Sequence, residues 1–317
     1  MPLTELRPQQ YVIPVLLGAG ATVLGLLVPT AGPLLIALLA GAVVANVVPV
    51  PDHWTDTAKA SLRWGIVLLG LKLPIDEALD IGWEAIATVL VTITATYTGT
   101  LLIGRWLRTD EDVTRLVAVG FSICGAAAIA AVEDAVHASR TAVATAIAMV
   151  TVWGSLMIAV VPYLADRLGL EDRQSGMWIG ASVHEVAQVV AAASVAGGTA
   201  LVAVATTTKL IRVTLLAPMH VVVSRSAAHG STPGIPWFVT GFVLAIAVRS
   251  TGVLPDQVLD GANGVSLFLL AVGMVGLGLG VRLAALWPLS WRVVVLAGCS
   301  TMIALAVSGT MVLTLLA

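Results

Sequence analysis

The stretch W-I-G-A-S-V-H-E-V-A-Q-V-V-A-A-A at residues 178–193 and the stretch T-A-L-V-A-V-A-T-T-T-K-L-I-R at residues 199–212 decide the fold of this chain. Both are otherwise apolar or small, yet together they contain five strongly polar residues: His184, Glu185, Gln188, Lys209 and Arg212. A charged side chain at the centre of a bilayer costs roughly 2.5–3.5 kcal/mol on insertion scales. Polar residues in such a setting indicate a functional site inside a membrane.

The composition of the whole chain agrees with a membrane setting. The 317 residues are 58% hydrophobic and 11% charged, and the mean hydropathy is +1.00. Soluble domains carry about 25% charged residues. The net charge of −2 argues against nucleic acid as a partner. Cys124 and Cys299 both lie in apolar segments and do not indicate a disulfide framework. We therefore expect an all-α polytopic membrane protein.

Apolar runs predict about eleven helical segments, two of them broken or re-entrant. The broken segments lie at about 114–137 and 174–196, where glycine, alanine and polar residues interrupt the apolar run. The uninterrupted helices are predicted at about 11–28, 31–48, 58–73, 83–105, 141–165, 199–224, 236–250, 263–281 and 291–316.

Weak internal repeats relate the two halves of the chain. G-I-V-L-L-G-L-K-L at 65–73 aligns with G-M-V-G-L-G-L-G-V at 273–281. C-G-A-A-A-I-A-A at 124–131 aligns with H-E-V-A-Q-V-V-A at 184–191. Paired interrupted segments are typical of secondary transporters with inverted repeats, which bind their substrate near the middle of the bilayer. The repeats therefore predict inverted repeats and a transport function.

We expect a single transmembrane transporter domain over residues 1–317, with a scaffold at about 11–105 and 236–317 and a core with broken helices at about 113–226. Lysine and arginine are concentrated in the loops on the N-terminal side, whether the broken segments cross the membrane or re-enter as hairpins. The positive-inside rule then predicts an inner-membrane protein with a cytoplasmic N-terminus and a periplasmic C-terminus. The charges slightly favour crossing, whereas the repeats favour hairpins.

Three motifs resemble those of the YeiH-type sulfate exporter family. They are S-I-C-G-A-A-A-I-A-A at 122–131, G-A-S-V-H-E-V-A-Q-V-V-A-A at 180–192 and T-K-L-I-R-V-T-L-L-A-P at 208–218. The resemblance implies membership of the bile-acid and arginine transporter superfamily, a scaffold, a core with broken helices and a sulfate-class substrate. Ala127 departs from the family pattern, which usually has serine there and so a hydroxyl donor for an anion.

Lys209 and Arg212 are the leading candidates for binding an anion. They lie three residues apart on one helix face, with Thr206 one turn earlier. Ammonium and guanidinium groups both bind oxyanions, the second in a bidentate manner. The alternative is an internal salt bridge with Glu185 that keeps the fold neutral.

Further groups are predicted to assist the anion. Gln188 can donate to an oxyanion, or it can simply connect two helices. Cys124, Gly125 and Ala126 are predicted to expose backbone N–H groups at the start of a half-helix, which suits an anion. The alternative for these small residues is ordinary close packing of helices.

His184 and Glu185 are predicted to carry or sense a proton, because histidine titrates near physiological pH and burial raises a carboxyl towards that range. The alternative is a hydrogen-bonded pair that holds helices together. The sequence H-E-V-A-Q lacks the second histidine of the zinc motif H-E-x-x-H, so neither a metal site nor an enzyme is expected. No cofactor is expected either.

Together these features predict a secondary active transporter that exports or exchanges a small inorganic oxyanion of the sulfate or sulfite class, with proton coupling. A sodium-coupled symporter of organic anions is the alternative, and a passive anion channel is a further one. The expected partners are the anion, H+ or Na+ as the coupling ion, the lipid bilayer and a second copy of the chain in a homodimer.

Overall fold

The computed structural model of the protein describes residues 9–27, 33–72, 81–226, 237–279 and 290–316. These residues form α-helices and one short 3₁₀ turn, and no strand occurs among them. The expectation of an all-α chain is confirmed. The helices are α1 (Gln9–Leu27), α2 (Pro33–Val47), α3 (Asp52–Leu69), α4 (Trp83–Leu107), α5 (Glu111–Ser122), α6 (Ala126–Val136), α7 (Arg140–Arg167), α8 (Asp172–Ser182), α9 (Val186–Ala196), α10 (Thr199–Thr214), α11 (Leu216–Ser226), α12 (Trp237–Ser250), α13 (Asp256–Leu279) and α14 (Trp291–Leu315).

Several helices are long and apolar enough to cross a membrane. In the described part of the chain five segments meet this condition, and α10 with α11 forms one of them, Thr199–Ser224. The 25 residues of α14 extend over about 37 Å at 1.5 Å per residue. A bilayer has a hydrocarbon core of about 30 Å. The lengths and apolar composition of these helices are therefore those of a polytopic membrane protein.

Helix contacts divide the molecule into two groups. The scaffold group contains α1, α2, α3, α12 and α13, and α13 packs against α1, α2 and α3. The core group contains α4 to α11 and α14. The sequence predicts 83–105 and 291–316 as scaffold, but in the structure these helices pack against each other and against α5 and α8. Contacts thus place α4 and α14 beside the broken helices.

Small residues bring the scaffold helices close together. A Cβ atom at Gly276 of α13 would overlap Ala58 of α3, and one at Gly278 would overlap the backbone of α2 at Leu38. Glycine at these positions lets the three helices approach closely, as small residues do in membrane helices.

Two hydrogen bonds define what we call the second face of the core group. Arg173 of α8 donates a hydrogen bond of 2.8 Å to the carbonyl of Ile81, just before α4. Gln174 donates one of 2.9 Å to the carbonyl of Leu316, just after α14. The start of α4, the start of α8 and the end of α14 therefore lie on this face. The opposite end of α4, where a short turn leads into α5, defines the first face.

The helices α8 and α9 form a hairpin that enters the core from the second face and returns to it. The residue after α9, Gly197, lies beside Asp172 at the start of α8: a Cβ atom on Gly197 would be 3.6 Å from the Asp172 carboxylate. The break at 183–185 is therefore a turn in the middle of the core.

The helices α5 and α6 form a second hairpin, from the opposite side. α5 starts at the first face, where α4 ends. α7 has 28 residues and leads into α8 at the second face, so α7 begins at the first face, where α6 ends. Both broken segments are therefore re-entrant hairpins, and they enter from opposite faces, as an inverted repeat requires.

Candidate functional site

Both hairpins turn at a short break in the middle of the core, at residues 123–125 and 183–185. A helix leaves its last carbonyl groups and its first N–H groups without partners inside the helix. The breaks therefore create two carbonyl ends, at the C-termini of α5 and α8, and two amide ends, at the N-termini of α6 and α9. Carbonyl ends carry partial negative charge and amide ends partial positive charge.

Lys209 of α10 joins the two carbonyl ends. Its Nζ donates hydrogen bonds of 2.9 Å to the carbonyl of Ile123 and 2.7 Å to the carbonyl of Val183. The side chain is fully buried, with an exposed fraction of 0%. Because one ammonium group reaches both breaks, the two breaks lie next to each other.

Arg212 binds the same carbonyl ends one turn further along α10. Its Nε donates to Ser122 at 3.1 Å, and its Nη2 donates to Phe121 at 2.9 Å and to Ser122 at 2.8 Å. Its Nη1 donates to the carbonyl of Ala181 and, at 3.5 Å, to that of Val183. A guanidinium group has five N–H donors. Backbone carbonyls receive all five.

These contacts explain how two cations are accommodated in the core. Lys209 and Arg212 counter the partial negative charge of two helix C-termini and supply donors to carbonyl groups that would otherwise have none. Among the residues that the structure describes, no ion pair joins either cation to Glu185. Direct binding of an anion by these two residues stays a prediction, and at Arg212 it would require a backbone hydrogen bond to break.

Glu185 occupies the amide ends. Its Oε1 accepts a hydrogen bond of 3.3 Å from the backbone N–H of Ala126, the first residue of α6. The same carboxylate accepts from the backbone N–H of Gln188 in a capping box at the start of α9. Gln188 completes the box, because its Oε1 accepts from the Glu185 N–H at 3.1 Å. One carboxylate thus bridges two helix N-termini.

Gly125 allows this arrangement. Its φ of +73° lies in the left-handed region, and a Cβ atom there would be 2.5 Å from Cγ of Glu185 and 3.0 Å from Val150. Its own N–H donates 2.8 Å to the carbonyl of Gly120. Of the predicted N–H groups at Cys124, Gly125 and Ala126, the one at Ala126 holds the carboxylate. Gly125 instead provides the space.

Gln188 is buried at the start of α9, against α7. Its exposed fraction is 2%, and a Cβ atom at Gly154 would overlap its amide group. Its Nε2 has no hydrogen-bond partner among the described residues. Thr206 is half-buried on α10 and does not line the cavity described below. The structure therefore brings Gln188 to the amide ends and leaves Thr206 away from them.

His184 points away from the amide ends, towards α14. Its Nε2 lies 3.0 Å from the hydroxyl of Thr301, and its ring packs on Phe121 at a centroid distance of 4.4 Å. The ring is fully buried. Of the two residues predicted to carry a proton, Glu185 borders the cavity and His184 does not.

A cavity of about 600 Å³ lies between the scaffold group and the core group. The core wall includes Cys124, Ala127 and Glu185 at the breaks, and the cavity then follows α9 towards the second face. The scaffold wall is built mainly by aliphatic side chains of α2, α3 and α13. Lys72, in the 3₁₀ turn after α3, lines the end near the second face.

An ion pair closes the molecule on the other side of the breaks. Lys59 of α3 contacts the carboxylate of Glu133, near the end of α6 at the first face. It joins the scaffold group to the core group. Glu133 is mostly buried, with an exposed side-chain fraction of 9%, whereas that of Lys59 is 35%. The ion pair thus links the two groups on the first-face side of the breaks, whereas the cavity lining extends along α9 towards the second face.

Comparison with known proteins places the chain in a family. The family model described as conserved hypothetical protein 698 matches residues 12–297. A UPF0324 membrane protein of Corynebacterium glutamicum is 37% identical over 331 aligned positions, which cover 98% of this chain and 96% of that protein. The chain belongs to the UPF0324 membrane protein family. The resemblance to the YeiH-type family is thereby confirmed.

Other UPF0324 relatives extend across bacteria. The protein of Pseudomonas putida is 35% identical, with 79% of this chain and 76% of the relative covered. The protein of Pseudomonas aeruginosa is 39% identical, with 71% of this chain and 68% of the relative covered. No solved structure matches this UPF0324 chain.

Proposed function

We propose that this protein is a secondary active transporter that moves an anion across the membrane by alternating access. The observation that carries the proposal is the meeting of two opposed re-entrant hairpins at a cavity between two groups of helices. Broken helices whose ends meet near the bilayer centre are how many secondary transporters hold their substrate. Movement of the core group against the scaffold group would expose the cavity to each side in turn.

Contacts between the two groups support such a movement. α13 packs along much of α2 and α3 within the scaffold group, whereas few residues of α3 contact α6 and few of α2 contact α9 across the boundary. The Lys59–Glu133 ion pair holds the first face closed. Rupture of this pair together with closure of the second face would give the opposite state.

Local charge favours an anion as the substrate. Lys209 and Arg212 carry two positive charges, and Glu185 carries one negative charge when ionised, so one positive charge remains. The amide ends add partial positive charge at the cavity wall. A sulfate-class oxyanion is the substrate that the family resemblance predicts. An organic anion is the second candidate, and the aliphatic scaffold wall favours it.

Glu185 is the group that we propose as the coupling site. Its carboxylate occupies the amide ends, at the inner end of the cavity that would hold the substrate anion. Two negative charges in one cavity repel each other, so protonation of Glu185 would remove this repulsion and favour substrate binding. This linkage couples one proton to each anion. Sodium binding by the same carboxylate is the alternative.

The distribution of basic residues supports one orientation. Arg105, Arg108, Arg115 and Arg140 lie at the first face, and Arg167, Arg173 and Arg249 lie at or near the second. Lys59 and Arg292 also lie near the first face, so among the described residues the first face has the excess of basic side chains. The positive-inside rule then makes the first face and the N-terminus cytoplasmic, and the C-terminus external, in an inner membrane.

Solid-supported-membrane electrophysiology on proteoliposomes tests the proposed function. Sulfate, sulfite, thiosulfate and organic anions are applied at two pH values, with protein-free liposomes and the exposed-surface variant Glu111→Gln as controls. We expect saturating currents for at least one anion that depend on the pH gradient. Currents that rise linearly with concentration and do not respond to pH would indicate a channel instead. One proton carried with a monovalent anion moves no net charge, so uptake of labelled anions is measured as well, and the absence of both current and uptake for every anion would refute transport of these anions.

A further inference from the structure

We propose that Lys72 binds the charged group of the substrate, and that this substrate is an organic anion with a single negative charge and an aliphatic body. The proposal rests on the proposed transport function and specifies its substrate class. Lys72 lines the cavity from the scaffold side, at the opposite end from Glu185. Among the described lining residues it is the one basic side chain.

The position of Lys72 suits a ligand contact better than a structural one. It ends the 3₁₀ turn that follows α3 and remains exposed to the cavity mouth. In the described part of the chain its ammonium group makes no ion pair. Within the same described residues Lys209 and Arg212 make no ion pair with Glu185 either, but backbone carbonyls already accept two hydrogen bonds from Lys209 and those of the Arg212 guanidinium. An anion that enters from the second face meets Lys72 first.

The walls between Lys72 and the breaks determine what the rest of the ligand is. Leu62, Ile66 and Leu69 of α3 face Val190 and Val195 of α9 across the cavity. Ser194 is the polar residue on the described part of this wall, and its hydroxyl already donates to the carbonyl of Val190. The aliphatic side chains offer no hydrogen bonds to replace the hydration of a small dianion, and burying an unpaired charge is strongly unfavourable. An aliphatic chain would instead lose contact with water and gain contact with these side chains.

The size of the cavity and the charges at its two ends also favour an organic anion with a single negative charge. The cavity of about 600 Å³ falls within the range of about 300–1,000 Å³ that is typical of sites for organic ligands. One ammonium group neutralises one negative charge, and the Glu185 carboxylate at the far end of the cavity disfavours a second. A ligand with one anionic head and an apolar tail pairs its head with Lys72 and brings no second negative charge near Glu185.

Alkanesulfonates of increasing chain length are suitable probes, because the sulfonate group stays ionised and these anions do not cross bilayers readily. Uptake of sulfate and of methane-, butane- and hexanesulfonate into proteoliposomes is measured with labelled anions, because one proton carried with one monovalent anion moves no net charge and gives no current. The wild-type protein should give half-saturation concentrations that fall from methane- to hexanesulfonate, and sulfate should give little or no uptake.

Variants at Lys72 complete the test. Lys72→Gln should raise the half-saturation concentration of hexanesulfonate at least about tenfold, which corresponds to 1.4 kcal/mol, and Lys72→Arg should restore most of the affinity. Arg167→Gln is the matched control, because Arg167 is an exposed cation at the same face that does not line the cavity.

The substrate class and the transport function are refuted by different results. Sulfate uptake without alkanesulfonate uptake would overturn the substrate class and leave transport intact. Unchanged hexanesulfonate affinity in Lys72→Gln would overturn the role of Lys72. The absence of uptake for every anion would overturn the transport function itself, and the substrate class with it.

Discussion

The carbonyl ends and the amide ends of the two broken segments lie at the same breaks, yet their surroundings differ. Lys209 and Arg212 fill the carbonyl ends with hydrogen bonds, and neither residue lines the cavity. Glu185 fills the amide ends with a carboxylate that borders the cavity and can gain a proton. The carbonyl ends therefore fix the geometry of the breaks, and in the proposed transport cycle we expect the amide ends to change.

The largest effect should follow removal of the arginine from the carbonyl ends. Arg212→Ala leaves the carbonyl groups of Phe121, Ser122 and Ala181 buried without donors, at about 1–3 kcal/mol for each unsatisfied group. We expect loss of folded protein, or a large fall in the melting temperature of detergent-solubilised protein, measured by fluorescence-detected size-exclusion chromatography after heating.

Arg167→Ala provides the control for Arg212→Ala, because Arg167 is exposed at the second face. The hypothesis from the sequence, direct anion binding, predicts instead a stable protein without currents. A folded Arg212→Ala protein with wild-type thermal stability that has lost its currents would support that hypothesis, and would show that the carbonyl ends are not only structural.

Glu185→Gln tests the amide ends. The amide side chain imitates the protonated carboxyl and keeps the size of the residue, so anion binding should persist. Uptake driven by a pH gradient should fall at least about tenfold, equivalent to 1.4 kcal/mol, whereas exchange of labelled anion for unlabelled anion should continue. Measurements of radiolabelled anion uptake with and without a pH gradient distinguish gradient-driven uptake from exchange. Loss of both activities, or retention of both, would contradict proton coupling at this residue.

Gly125→Ala should have a moderate effect. A Cβ atom in the left-handed region costs about 1–2 kcal/mol, and at this position it would also press on Glu185. We expect lower thermal stability and weaker anion affinity. Gly169→Ala is a matched control, since Gly169 has a φ of +65° and nothing within 4 Å of its added Cβ. Equal losses in both variants would show that contact with Glu185 is unimportant.

Lys59→Gln should have the smallest effect on stability, because a partly exposed ion pair contributes roughly 0.2–1 kcal/mol. It removes the polar link between the scaffold and core groups at the first face. Hydrogen–deuterium exchange should become faster in α6 and at the start of α3, and should not change in α8. Arg115→Gln, which removes the surface pair with Glu111 on α5, should leave the exchange in α3 unchanged.

Much of this arrangement could be predicted from the sequence, because polar residues in apolar runs are rare and informative. The two breaks lie inside the segments predicted at about 114–137 and 174–196. The partners of Arg212 could not be predicted, because a sequence does not show where unpaired carbonyl groups will point. Nor could the grouping of α4 and α14 with the core, since their apolar sequences resemble those of the scaffold helices.

The role of Lys72 could not be predicted from the sequence either. A lysine at the end of an apolar segment ordinarily extends towards the membrane surface, and the sequence alone favours that interpretation. Only the position of α9 and α13 across from the turn shows that the side chain lines a cavity. Thr206 is the reverse case, since helical spacing places it near Lys209 but the cavity lies elsewhere.

Cys124 lines the cavity but is only 5% exposed, so its reaction with a thiol reagent should be slow and should depend on how far the cavity opens. Its thiol lies on the cavity wall at the first break, whereas Cys299 belongs to α14, which does not line the cavity. With Cys299 replaced by alanine, a small membrane-impermeant thiosulfonate should react at Cys124 when added to the compartment that the second face contacts, and substrate should slow the reaction. A single native atom can therefore reveal both which compartment the cavity opens to and when it is occupied.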